Sequence, residues 1–201
     1  MTLGVIAVAA LAFKVFEPIQ VLPRIRLAPS YSFVDGAGSV ITSEDARGVV
    51  TLFSFAPADC GTECAEIDRT LDDVSRRVAQ EVDLGGTEFR VATVVLDGVR
   101  PDPGPASVVR LYGADDMVTN VVGAGFEIPF EVAADGTTRF DRAYVLVDGW
   151  GVIRGEYRYR TIADDVDKLV RHVGLLAAEI RHADDATSIA YEAAHLFLCY
   201  P

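Results

Sequence analysis

Residues 49–82 read VVTLFSFAPADCGTECAEIDRTLDDVSRRVAQEV, and the hydrophobic period changes once within them. Val49 to Phe55 is a nearly unbroken apolar run closed by Pro57, the pattern of a strand buried on both faces of a sheet. From Glu63 onward the apolar positions Ile67, Leu71, Val74, Val78 and Val82 recur at spacings of four, three, four and four. They form one helical stripe, with Asp68, Arg69, Asp72, Asp73, Arg76 and Arg77 on the wet side, and Gly85-Gly86 end it. A buried strand handing over to a long amphipathic helix belongs to the α/β class.

The same reading extends outward from this unit. Downstream, Phe89 to Leu96 is a second buried-type strand, and Pro105 to Tyr112 reads as a short helix. Ala143 to Val147, the turn Asp148-Gly149-Trp150-Gly151 and Val152 to Tyr159 predict a hairpin. Thr161, with Asp164 three residues on, is placed to cap a last helix whose stripe is Ile162, Val166, Leu169, Val173, Leu176 and Ile180. Upstream, Ser32 to Val34 and Ser39 to Ile41 flank an Asp35-Gly36 turn, and Thr42 to Asp45 reads as a helical turn. The order strand, helix, strand, helix, hairpin, helix predicts a thioredoxin-like fold, a central mixed β-sheet flanked by helices. The domain is expected over residues 30–182, preceded by an apolar segment (1–16) and a proline-marked linker (17–29) and followed by a helical tail (183–201).

Composition narrows the function. A chain of 201 residues, half of them apolar, has room for one ordinary domain with extensions and is not a disordered chain. Eighteen basic against thirty acidic side chains give a net charge of −12, which repels a phosphate backbone and argues against nucleic-acid binding. Three cysteines are too few for a disulfide-built miniprotein. No glycine-rich phosphate loop and no nucleophile-elbow serine occur, and Asp115-Asp116 and Asp164-Asp165 read as solvated acids at helix ends. The uncharged run Thr2 to Phe13 is shorter than the roughly 20 residues of a full span and is expected to be a partial anchor or signal. Lys14, Arg24 and Arg26 follow it, which by the positive-inside rule alone favours a cytoplasmic carboxyl side.

The main chemical signal is Cys60-Gly61-Thr62-Glu63-Cys64, at the predicted strand-to-helix junction. Two residues four apart in a helical turn face the same way with Cα atoms about 6 Å apart, within disulfide reach. The same spacing lets two thiolates grip one Cu(I) ion. The helix start favours thiolate, while Asp59 and Glu63 raise the thiol pKa values and favour a cation or a stable disulfide over fast exchange. A structural disulfide, or two idle thiols, accounts for the spacing equally well.

From about Ala28 to Ala178 the chain resembles the SCO/SenC family, thioredoxin-fold proteins with a C-x-x-x-C copper site. The resemblance rests on Ser32-Phe33-Val34-Asp35-Gly36 with Thr42-Ser43-Glu44-Asp45, on Val49 to Phe55 leading into Cys60 and Cys64, on the strand ending in Asp97, and on Tyr144 to Gly151 with Ile153-Arg154-Gly155-Glu156-Tyr157. It implies a membrane-anchored protein with its domain on the extracytoplasmic side. It also implies copper delivery or thiol reduction in assembly of the CuA centre of cytochrome c oxidase. A partner would then be an oxidase subunit or another copper or thiol protein. Such a protein is a metallochaperone or exchange protein more than a turnover enzyme. The alternatives are thiol–disulfide exchange without copper and a non-catalytic docking module.

Three departures stand out. Ala65 follows Cys64 where the family has proline, and the acidic loop after the second strand is reduced to Asp97-Gly98-Val99-Arg100-Pro101-Asp102. The third copper ligand of the family is a histidine in an Asp-His pair before the hairpin, and this chain has Asp141-Arg142 there. A guanidinium has no free lone pair and cannot ligate. It would lower the pKa of nearby thiols and oppose a bound cation. Of the three histidines, His172 reads as a boundary residue, His182 as a helix-end cation, and His195 as one half of a His-x-x-x-Cys pair with Cys199. The tail reads as a docking element, and Trp150 in the hairpin turn reads equally as a partner contact or as a ring folded back on the sheet.

Overall fold

The computed structural model describes residues 20–98, 105–158, 165–183 and 187–198. The segment 1–16, residues 99–104, Thr161, Ile162, Asp164 and Cys199 lie outside the described residues.

Six strands form one mixed sheet: β1 (Arg26–Leu27), β4 (Val49–Ala56), β5 (Glu88–Val95), β6 (Val108–Leu111), β9 (Ala143–Val147) and β10 (Val152–Arg158). Their spatial order is β1-β10-β9-β4-β5-β6. Strands β4, β5 and β6 run parallel, whereas β9 is antiparallel to β4, β10 to β9 and β1 to β10. Every residue of β4 is buried, as its unbroken apolar run predicts, because both faces of the sheet are covered. Its two polar positions sit at the centre of the sheet, and the Ser54 hydroxyl meets that of Thr93 on β5 at 2.7 Å.

Alternate residues of β4 feed two cores. Val50 and Leu52 pack with Ile67, Leu71, Val74 and Val78 of α1 (Thr62–Glu81) and with Leu169, Val173 and Leu176 of α3 (Val166–Arg181). On the opposite face Phe53 and Phe55 pack with Phe33, Val122, Phe126 and Ile128. That face is covered by the hairpin of β2 (Ser32–Val34) and β3 (Val40–Thr42), by α2 (Asp115–Val118) and by the π-helical turn Thr119–Gly125. A second small hairpin, β7 (Phe130–Val132) with β8 (Thr138–Phe140), and a terminal helix α4 (Ser188–Leu198) complete the chain.

This is the thioredoxin-like mixed sheet expected from the sequence, with three local differences. Val108 to Leu111 form strand β6, not the expected helix; Val91↔Val108 pairing with β5 gives the β-branched pair Val108-Val109 a ladder that outweighs a short isolated helix. The described part of the last helix is capped by Asp165, whose side chain accepts from the Lys168 N–H at 2.9 Å. Part of the expected linker is folded onto the domain: Leu22 is buried, and Arg26-Leu27 add an edge strand to β10.

Candidate thiol–disulfide site

Strand β4 ends at Ala56, and the chain must turn sharply to enter α1. Asp97, at the end of the neighbouring β5, fixes that turn by accepting the Ala58 N–H with both carboxylate oxygens, at 3.0 and 3.1 Å. Asp59 accepts from the Gly61 N–H at 2.9 Å, and Gly61 takes a left-handed φ of 59°, which a side chain there would strain. Helix α1 then starts at Thr62, with Cys60 just before it and Cys64 in its first turn.

Cys60 and Cys64 form a disulfide with Cα atoms 5.1 Å apart, inside the range their spacing predicts. Both are half-buried. Cys64 packs against the α1–α3 core, and its Sγ lies 3.6 Å from the Pro57 carbonyl oxygen. A disulfide sulfur has no hydrogen to donate, so that contact becomes a hydrogen bond only when Cys64 is a protonated thiol. Cys60 lies outside that core, on the loop side of the bond.

Arg142 precedes β9 and is buried, with a side chain 3% exposed. Its guanidinium donates to Glu66 at 2.8 Å and lies 3.8 Å from Glu63, so it rests on the first turns of α1, against the carboxylates that bracket Cys64. Its charge is therefore shared with two carboxylates of α1 and not presented as a lone cation. Glu66 has no spacing signal that would have singled it out; only the tertiary approach of residue 142 to α1 gives it a role.

The donor set does not fit a three-ligand copper site. Reduction frees two sulfurs, but the residue at the expected third-ligand position is Arg142, whose guanidinium only donates. Among the described residues, no group of three or more His, Cys, Asp or Glu is arranged to hold a metal ion. The histidines are engaged elsewhere. The His172 ring shares a 2.8 Å hydrogen bond with the Tyr157 hydroxyl between α3 and β10. Burial, then the charges of Arg171 and Lys168, push its pKa down to about 4. His182 stacks on Tyr191 and His195 meets Glu179 at 2.9 Å, while Cys199, the other half of the expected His195–Cys199 pair, lies outside the described residues.

Sequence reading missed a second buried polar cluster. Arg154, 3% exposed, bonds Asp148 at 3.1 Å and Glu179 at 2.6 Å and donates to the carbonyls of Leu22 and Pro23. Burial alone would raise the Glu179 pKa, but the hydrogen bond and charge of Arg154, with His195, hold it below the ordinary carboxylate value. The available signal was a lone arginine inside the apolar strand Val152-Ile153-Arg154.

Solved structures share this architecture. The SCO1/SenC family lipoprotein of Bacillus anthracis superposes with a TM-score of 0.64 at 14% identity, over 76% of this chain and 95% of that one. Yeast Sco1 with copper bound gives 0.62 at 17% identity, over 83% and 98%. Arabidopsis thaliana ScoI with copper bound gives 0.62 at 14%, over 73% and 98%. The chain has the Sco fold. No protein-family model and no curated protein matches it in sequence. On this Sco fold the disulfide occupies the junction of β4 and α1, and α4 and the β1 edge are packed around the other end of the sheet.

Proposed function

We propose that this chain is a divergent SCO/SenC protein of the extracytoplasmic side, anchored through residues 1–16, that exchanges thiols with a partner's cysteine pair during copper-site assembly. The CuA-bearing subunit of cytochrome c oxidase is the first candidate partner. The observation that carries the reading is the half-buried Cys60–Cys64 disulfide at the start of α1, with the buried Arg142 set against the carboxylates of that helix where the resemblance expects a third ligand. In the reaction, a reduced Cys60 thiolate attacks the partner's disulfide and one partner sulfur leaves. Cys64 then attacks Cys60 Sγ, releasing the second partner sulfur. Two electrons pass to the partner, its two sulfurs end as thiols, and this chain ends as the disulfide seen here.

Transfer of Cu(I) on the two freed thiolates is the second reading, supported by the copper bound to the yeast and Arabidopsis Sco structures. One experiment separates the two. The reduced domain is mixed anaerobically with a peptide carrying an oxidised CuA-type cysteine pair, and in parallel titrated with Cu(I) against a competing chelator. Exchange is expected to reduce one peptide disulfide per protein oxidised, to fail in Cys60→Ser, and to stop at a trapped mixed disulfide in Cys64→Ser. No reduction of the peptide, together with one tightly held Cu(I) lost in the double serine variant, would replace exchange by copper transfer.

A further inference from the structure

Six large apolar side chains are exposed among the described residues, and they are unevenly placed. Ile25 (44%) and Leu27 (73%) point to one side of the β1 edge, two residues apart. Trp150 (76%) stands at the tip of the β9–β10 turn and lines one cleft with Leu27. A second cleft, of about 390 Å³, runs from Trp150 to Ser188 and Tyr191 of α4, the helix that carries the exposed Ile189 (77%). The surrounding arginines are balanced locally: Arg24 by Glu192, Arg26 by Glu156 and Arg47 by Glu44. The exposed apolar side chains are thus set among paired charges, and the patch is close to neutral on a chain of net charge −12.

The chain that leads into this patch decides what covers it. Residues 22–28 are clamped to the domain: Leu22 is buried, Arg154 holds the Leu22 and Pro23 carbonyls, and backbone bonds join Ile25 to Ile153 and Ala28 to Gly151 at 2.9 and 2.8 Å. Three residues lie between Phe16, the end of the apolar segment, and Gln20, and the four steps reach at most about 14 Å. If the apolar segment enters a bilayer, the β1 edge cannot be far from it, and the face beside that edge is the face turned to the lipid. Tryptophan and tyrosine at such a boundary are suited to the interface, where the ring is half apolar and half hydrated.

We propose that the Ile25–Leu27–Trp150 face is a lipid-contacting surface that seats the domain on the membrane and holds the disulfide away from it. The turn bearing Trp150 lies at the start of β4, where the Gly48 N–H donates to the Gly149 carbonyl at 2.9 Å. The disulfide lies beyond the other end of β4, about 23 Å along an eight-residue strand. Seated this way, the exchanging sulfur faces the water phase, where a membrane protein's extramembrane domain would meet it. The proposal rests on the anchored reading above for the placement of residues 1–16.

Trp150 is the only tryptophan in the chain and reports on the surface directly. The full chain is reconstituted into phosphatidylcholine vesicles, with flotation to score anchoring and spin-labelled lipids to quench fluorescence. The chain is expected to float, and Trp150 emission to shift to the blue and be quenched more by label near the headgroups than by label deep in the chains. Leu27→Asp is expected to float equally and to lose most of the shift and the quenching. A chain that floats with Trp150 open to an aqueous quencher and untouched by labelled lipid overturns the surface and leaves the anchor standing. A chain that does not float overturns both. A blue shift that grows with protein concentration without lipid assigns the face to a second copy and overturns the proposal.

Discussion

Arg142 is one side chain on which the two readings of the site diverge. It is buried, it donates to Glu66, and it stands where the sequence resemblance expects a ligand. Arg142→His puts a lone-pair nitrogen there and is expected to tighten Cu(I) binding by the reduced protein by on the order of tenfold or more, read by chelator competition. Unchanged affinity would place residue 142 out of reach of the sulfurs. The same variant breaks a charged hydrogen bond to a half-exposed carboxylate, so its stability is expected to fall by about 1–3 kcal/mol in urea unfolding.

At the scale of elements, α3 packs its buried stripe Leu169, Val173 and Leu176 into the core it shares with α1 and β4, and the His172–Tyr157 bond ties it to β10. The unfolded His172 has its ordinary pKa of 6.5 and the folded one about 4. Between those values the unfolded chain takes up a proton that the folded chain refuses, so this contribution is present above pH 6.5 and is lost as pH falls toward 4. Melting temperature is expected to drop across that window, and His172→Gln, which cannot titrate, to flatten the drop. An identical slope in the variant would remove His172 as its source. The periodicity made α3 legible from sequence, while the ring's partner was not, since Tyr157 comes from another element.

The whole molecule is tied together at the end of the sheet remote from the cysteines. Glu179 of α3 joins Arg154 of β10 to His195 of α4, Arg154 joins the turn through Asp148, and Arg24 joins Glu192. Four segments distant in sequence therefore share one charge cluster. Glu179→Ala leaves Arg154 buried with Asp148 as its remaining carboxylate, and is expected to cost about 3 kcal/mol. It should also speed amide exchange in α4, whose His195 loses its bond to Glu179. Unaltered exchange in α4 would show that packing of the buried Ala194 holds the helix by itself.

The sequence by itself determined the elements whose period repeats over many residues: β4, α1, β5, the β9–β10 hairpin and α3, and with them the mixed sheet. It also put the two cysteines within disulfide reach by their spacing, although Cys60 precedes the helix and the left-handed Gly61, not a single helical turn, brings their Cα atoms to 5.1 Å. The tertiary structure decided what depends on distant chain segments meeting. It turned Val108–Leu111 into a strand beside β5, brought Glu63 and Glu66 to Arg142, buried Arg154 among Asp148 and Glu179, and folded Arg26-Leu27 onto β10. A short segment has too little local preference to choose its own state, and a charge has no period. Both take their meaning from whichever strand or helix the fold sets against them.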